Sequence, residues 1–223
     1  MAASIKKALL FVLLAMASMS VGRPARADDG APPASAGIGD GMRDYYQSEK
    51  TTAYTFVGVG AASAAAGGIL LTRPGDFARG LGGSLLTLGV LEAAGAAFYA
   101  FQVDAEVDHY SATLARDPSA FKREEASHIH GTTTRFFAYR LSELALAVGG
   151  AGVATYGFAK DQDLWKGVGI GVAAEALTFF VLDSFGQARA RAYEDEVQRF
   201  QPSVAVQVGG GDRPTTLGMS ARF

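Results

Sequence analysis

All three histidines of the chain, His109, His128 and His130, lie in one charged stretch between two apolar regions. Two of them complete Glu-x-x-His: Glu106-Val107-Asp108-His109 and Glu125-Ala126-Ser127-His128. On a helix, residues three apart share a face, so each motif can offer a carboxylate and an imidazole to one ion. Di-iron carboxylate bundles use two such motifs, but they also need a Glu from each of two further helices. The nearest candidates are Glu143 and Glu194, and their spacing does not set them at the height of the histidines. His128-x-His130 alone offers a surface ligand pair for zinc or nickel. A charged face also places Glu near His by chance, so a metal-dependent membrane enzyme ranks third among the expectations. No cofactor is expected.

Glu92 and Glu175 are a different kind of candidate, because each stands alone in an otherwise apolar run. An ionised carboxylate in hydrocarbon is costly, so each must be protonated, paired or turned to a wet seam. One reading is a proton- or cation-responsive pair in a small oligomeric transporter or channel. The preferred reading is a Glu hydrogen-bonded between helices. Arg140 and Glu143, three apart on one helix face, are expected to satisfy each other as a structural ion pair.

Other chemistry is excluded. The chain has no cysteine, which removes thiol catalysis, disulfides and Cys-based zinc or iron–sulfur sites. It has no P-loop, no Gly-x-Ser-x-Gly and no His-Glu-x-x-His. Gly80-x-Gly82-Gly83 and Gly167-x-Gly169-x-Gly171 open apolar helices and read as packing glycines, since neither completes a dinucleotide fingerprint.

The elements that carry these residues can be read from composition. Hydrophobic residues make up 49% of the chain, charged residues only 19%, and 28 residues are Gly, a balance that suits packed membrane helices. Residues 1–27 read as a signal peptide: Lys6 and Lys7, an apolar stretch from Ala8 to Val21, then Ala25-Arg26-Ala27. Its removal takes four of the 20 basic residues and none of the 22 acidic ones, so the rest is acidic and carries no footprint for nucleic acid. Residues 28–50 read as a flexible acidic leader.

Beyond the leader lie four apolar runs: Ala53 to Thr72, Gly80 to Val103, Phe136 to Ala159 and Gly167 to Leu182. Each is read as a membrane span. Ser63-x-x-x-Gly67, Ala93-x-x-x-Ala97 and Gly167-x-x-x-Gly171 put small residues on one face, where helix backbones can approach closely. The runs pair into a first transmembrane hairpin, 51–103, and a second with a helical extension, 136–200. Between them lies an extracytoplasmic helical loop, 104–135, with a short helix over 118–127 that starts at Asp117-Pro118. The hairpins resemble a duplication. Asp76-Phe77-Ala78-Arg79-Gly80-Leu81-Gly82 parallels Asp163-Leu164-Trp165-Lys166-Gly167-Val168-Gly169 at a spacing of 87, and Ala53-Tyr54 parallels Ala138-Tyr139 at 85, which requires a small indel.

The tail, 201–223, changes to a two-residue period and is expected to form a β-hairpin. Its last strand, ending in Phe223, resembles the closing strand of outer-membrane β-barrel proteins over a few residues. One hairpin cannot close a barrel.

The expected fold is therefore an all-α membrane protein, a four-helix transmembrane bundle of two hairpins with a short C-terminal β-hairpin. The expected role is a non-catalytic structural or interaction component of the bacterial cell envelope. Its partners are the lipid bilayer and a second copy or another envelope protein. An inner-membrane location with extracytoplasmic loop and tail is expected; the alternative is the outer membrane.

Overall fold

The computed structural model describes residues 34–202 together with the segments 206–208 and 215–217. The expected signal peptide and the start of the leader lie outside the described residues. Four long helices run in sequence: α1, Ala34–Leu71; α2, Asp76–Arg116; α3, Pro118–Ala159; and α4, Asp163–Arg199. Each is long and apolar enough to cross a membrane.

Length and exposure together say how they do so. The helices have 37 to 42 residues, about 55–63 Å at 1.5 Å per residue. A hydrocarbon core of about 30 Å accommodates only half of that. The apolar halves lie at the end where Thr72–Gly75 joins α1 to α2 and residues 160–162 join α3 to α4. That end is the loop end, and the opposite end is the distal end. In the apolar halves much of the large side-chain surface is uncovered: Val148 is 66% exposed, Leu91 65%, Ile69 61% and Phe158 61%. A water-soluble bundle would bury such residues, so this surface needs lipid around it. Exposed Trp165 and Tyr156 stand near the loop end, and exposed Tyr54 and Tyr139 stand roughly 25 Å further along. Amphipathic rings at two such levels mark the two membrane interfaces.

Glycine sets the helix order within the apolar half. α1 packs on α2, α3 on α4, and α2 on α4 in the middle. A Cβ at Gly60 or Gly67 would collide with the backbone of α2, and one at Gly150 or Gly157 with the backbone of α4. At the central crossing, a Cβ at Gly80 would strike the Leu164 carbonyl, and one at Gly167 the Phe77 carbonyl. That contact is reciprocal, as around a two-fold axis: Gly80 and Gly167, like Phe77 and Leu164, are 87 residues apart. Ser84 and Gly171 are also 87 apart and touch each other across the axis. The Arg79–Asp76 ion pair beside one loop is matched by Lys166–Asp163 beside the other.

The same offset runs the whole length of α2 and α4. Every buried residue of α2, namely Gly80, Gly82, Gly89, Ala100, Val103, Tyr110 and Thr113, has a buried residue 87 positions later. α1 and α3 are related at a spacing of 83 instead: a Cβ at Gly82 would strike the Gly67 carbonyl and one at Gly169 the Gly150 carbonyl, and Ile38, Met42 and Tyr46 correspond to Phe121, Glu125 and Ile129, all buried. The small indel expected from Ala53-Tyr54 and Ala138-Tyr139 is therefore needed, and it amounts to four residues, about one helical turn, between the first helix and the second of each hairpin.

The distal halves are packed structure where the sequence suggests a leader, a separate short helix and a helical extension. Residues 34–50 are helical, and Ile38, Met42, Tyr45, Tyr46 and Glu49 are buried, so this part of the supposed leader is structure. Those residues recur every three or four positions, the spacing of one helix face. The region 118–127 is not a separate short helix. Asp117 caps the Ser119 and Ala120 amides, Pro118 opens the first turn, and α3 then continues unbroken into the second hairpin. The end of α4 is not merely solvated, since Gln187, Ala190, Tyr193 and Val197 are buried in a distal core with Val103, Phe121 and Ile129.

The tail hairpin is not supported as an element of the fold. Val206–Val208 pairs antiparallel with Thr215–Leu217 over three residues. Residues 203–205, 209–214 and 218–223 lie outside the described residues. A two-stranded ribbon this short has no face to bury and little stability of its own.

Candidate functional site

Two polar clusters lie inside the bundle, one near the distal membrane interface and one in the distal core. The first gathers both carboxylates that stood alone in their runs. Glu175 of α4 is buried at 3% exposure, with Ser63 of α1 beside its carboxyl and Oε1 left without a hydrogen-bond partner. Glu92 of α2 faces Glu175 and Asp183. Asp183 in turn neighbours Glu143 of α3, whose Oε2 is left without a hydrogen-bond partner. By helix rise these groups stand about 18 Å (Glu175), about 24 Å (Glu92 and Glu143) and about 30 Å (Asp183) from the loop end. They therefore form a ladder from inside the membrane to the distal interface.

The expected Arg140–Glu143 ion pair is not formed. Arg140 Nη1 donates to Gln187 Oε1 at 2.6 Å, and the guanidinium lies over the Phe180 ring at 4.6 Å. The residues share a helix face, but α4 packs against that face and takes up Arg140 through Gln187 and Phe180. Further out, Arg189 donates to Thr52 Oγ1 and stands 4.0 Å from Glu49, whose other oxygen accepts from Tyr99 at 3.3 Å.

The second cluster is centred on Glu125 of α3, which is fully buried. Tyr46 of α1 donates its hydroxyl across both carboxyl oxygens, at 3.1 and 3.3 Å. The hydroxyls of Tyr110 on α2 and Tyr193 on α4 face the same carboxyl. All four helices thus meet at one acid. Tyr45 stacks on Tyr193 with ring centroids 4.5 Å apart, and Tyr110 sets its ring edge-on to Phe121. Burial drives the Glu125 carboxyl up to about 7, against the opposing hydrogen bonds of the tyrosines. Burial also holds the Tyr46 and Tyr193 hydroxyls well above the usual phenol range, with the Glu125 charge acting in the same direction, so they stay protonated.

The histidines do not converge. His109 Nε2 is 3.5 Å from Glu124, His128 Nε2 is 4.0 Å from Glu106, and His130 Nδ1 is 2.9 Å from Glu194. Each faces a different carboxylate, and none of the three is the Glu of its own Glu-x-x-His motif. Glu125, assigned to the second motif, is taken up by tyrosines. Among the described residues no group of three or more His, Asp or Glu side chains is placed to hold a metal ion. Spacing on one helix had set each Glu beside its own His, but the cross-helix neighbours decide where each side chain turns.

Sequence reasoning found Glu92, Glu175 and Glu143 and missed Asp183, Gln187 and the three tyrosines. The repeat could have exposed the distal cluster, because it aligns Glu125 with Met42 at a spacing of 83 and Tyr193 with Glu106 at 87. Those are the places where an otherwise repeated core changes its chemistry.

Fold and site together define an integral membrane protein made of two related helical hairpins. Comparison with known proteins gives no match to any protein family, curated protein or solved structure.

Proposed function

We propose that the chain is a non-catalytic structural or interaction component of the bacterial cell envelope. On this reading it sits in the inner membrane with its distal end extracytoplasmic, in contact with lipid and with a second copy or another envelope protein. The glycine seams are the observation that carries the reading. From Glu175 down to the loops, no ionisable side chain lies on any of the four helices until Arg79 and Lys166. The helices there meet backbone to backbone through Gly80, Gly167, Gly67 and Gly169. Such packing favours a rigid anchor over a conducting path.

A second reading, a small oligomeric transporter or channel, is favoured by the ladder of Glu92, Glu143, Glu175 and Asp183. One experiment separates the two. The protein is fractionated between inner and outer membranes and then reconstituted in liposomes under proton and sodium gradients. The anchor reading expects carbonate-resistant inner-membrane protein and no flux. A flux abolished by Glu92→Gln and Glu175→Gln, with assembly intact, overturns it in favour of transport.

A further inference from the structure

We propose that Glu125 and the tyrosines around it form a proton-operated latch, which holds the start of α3 in the distal bundle while the carboxyl is protonated and loosens it when the carboxyl ionises. The latch lies outside the spanning segments and works in the same way whichever side of the membrane the distal end faces.

Geometry carries the proposal. Glu125 is the point at which α3 meets the three other helices, through Tyr46 of α1, Tyr110 of α2 and Tyr193 of α4. It has no exposed surface through which water could solvate a charge. The repeat places Met42, also fully buried, at the equivalent position of α1, so the packing itself is satisfied by an apolar side chain. The acid is an addition to a core that does not require one.

The surroundings supply no cation to neutralise an ionised Glu125. α1 presents Tyr45 and Tyr46. α2 presents Glu106 and Tyr110, with Arg135 of α3 acting on Glu106 and His109 packed edge-on to Tyr110. On α3 itself His128 stands against the Tyr46 and Tyr110 rings, and its own burial lowers its proton affinity. α4 presents Tyr193, with Glu196 behind it. The charged neighbour that acts on Glu125 most directly is Glu106, of the same sign. The Tyr193 hydroxyl is buried and finds no partner in hydrogen-bond geometry. The carboxyl's rise to about 7 puts the change of state near neutral pH.

The test is hydrogen exchange of the full chain in lipid nanodiscs, at about two pH units below and above 7, corrected for intrinsic exchange rates. Residues 118–133 are expected to lose protection at the higher pH by more than about tenfold, since each unit of pKa shift is tenfold in the coupled equilibrium. Glu125→Gln, neutral at every pH, is expected to stay protected at both. Tyr46→Phe removes a donor to the carboxylate and is expected to move the midpoint to higher pH. Equal protection of the wild type at both pH values overturns the latch. So does a Glu125→Gln variant that keeps the wild-type pH dependence. If Glu125→Gln does not assemble, Tyr46→Phe decides: lower protection at every pH with an unmoved midpoint makes the tyrosine a packing residue and Glu125 no latch.

Discussion

Glu125 shows how a single residue changes meaning with its neighbours. In sequence it belongs to Glu-x-x-His and reads as half of an ion's ligand set; in the fold it is a buried acid among phenols. Spacing along one helix fixes which residues share a face, but not which other helix covers that face. Glu92 and Glu175 were legible because a lone charge in an apolar run stands out by itself. Tyr46, Tyr110 and Tyr193 were not, because isolated tyrosines suit an interface as well as a core. The sign of the pH effect is set by the direction of the Glu125 shift. Its folded pKa, about 7, lies above the ordinary value of 4.5. The folded state therefore holds the proton more tightly, and the added stability is fully present below about 4.5 and lost as pH rises through about 7. Heat denaturation of the detergent-solubilised protein is expected to show this loss, of the order of 3 kcal/mol over the whole range. Glu125→Gln should flatten that part of the profile and raise the midpoint temperature above neutral pH. An unchanged profile would mean that the carboxyl titrates as an ordinary exposed acid.

Helix existence was legible where runs were long and uncharged, and the helix turns were legible at Pro74-Gly75 and Asp117-Pro118. The distal half of α1 was not, because Gly37, Gly39 and Gly41 and the acids Asp40 and Asp44 read as a flexible segment while Ile38, Met42 and Tyr45 kept a helical period beneath them. Glycine itself separates into two classes that sequence alone cannot tell apart. A Cβ at Gly80 would meet the α4 backbone, whereas one at Gly83, three residues on, would meet nothing. Gly80→Ala is therefore expected to force α2 from α4 and lower the detergent melting temperature, with Gly167→Ala, its partner across the axis, doing the same. Gly83→Ala should be neutral or stabilising by up to about 1 kcal/mol, the helix-propensity difference between the two residues. Similar behaviour of Gly80→Ala and Gly83→Ala would deny the close crossing of α2 and α4. At the first loop, Gly75 has φ 105°, a conformation that other residues rarely adopt. Gly75→Ala is expected to destabilise the turn without touching any helix contact.

At the scale of the whole molecule, the helices are about twice as long as a bilayer core is thick, and only one end of each is apolar. That asymmetry admits two insertions, with the distal end outside or inside. If residues 1–27 are the export signal that the sequence leads one to expect, the distal end lies outside, because such a signal carries the start of the mature chain across the membrane. The charge rule opposes it, since the loop end carries only Arg73, Arg79, Lys160 and Lys166 while Lys50, Arg135, Arg189 and Arg191 lie close beyond the spans on the distal side and further basic residues lie at its tip. The chain has no cysteine, so single cysteines can be placed without a background. Asp108 and Arg123 are exposed at the distal end, and Arg73 and Asp161 are exposed in the two loops. In spheroplasts, Asp108→Cys and Arg123→Cys are expected to react with a membrane-impermeant maleimide, and Arg73→Cys and Asp161→Cys only after lysis. The reverse pattern would keep the four spans and turn the distal core, with its Glu125 cluster, toward the cytoplasm. Labelling at all four positions before lysis, together with carbonate extraction, would remove the spans themselves. The exposed Phe98, Phe101 and Val148 would then have to be covered by protein, because no other environment accommodates so much apolar surface.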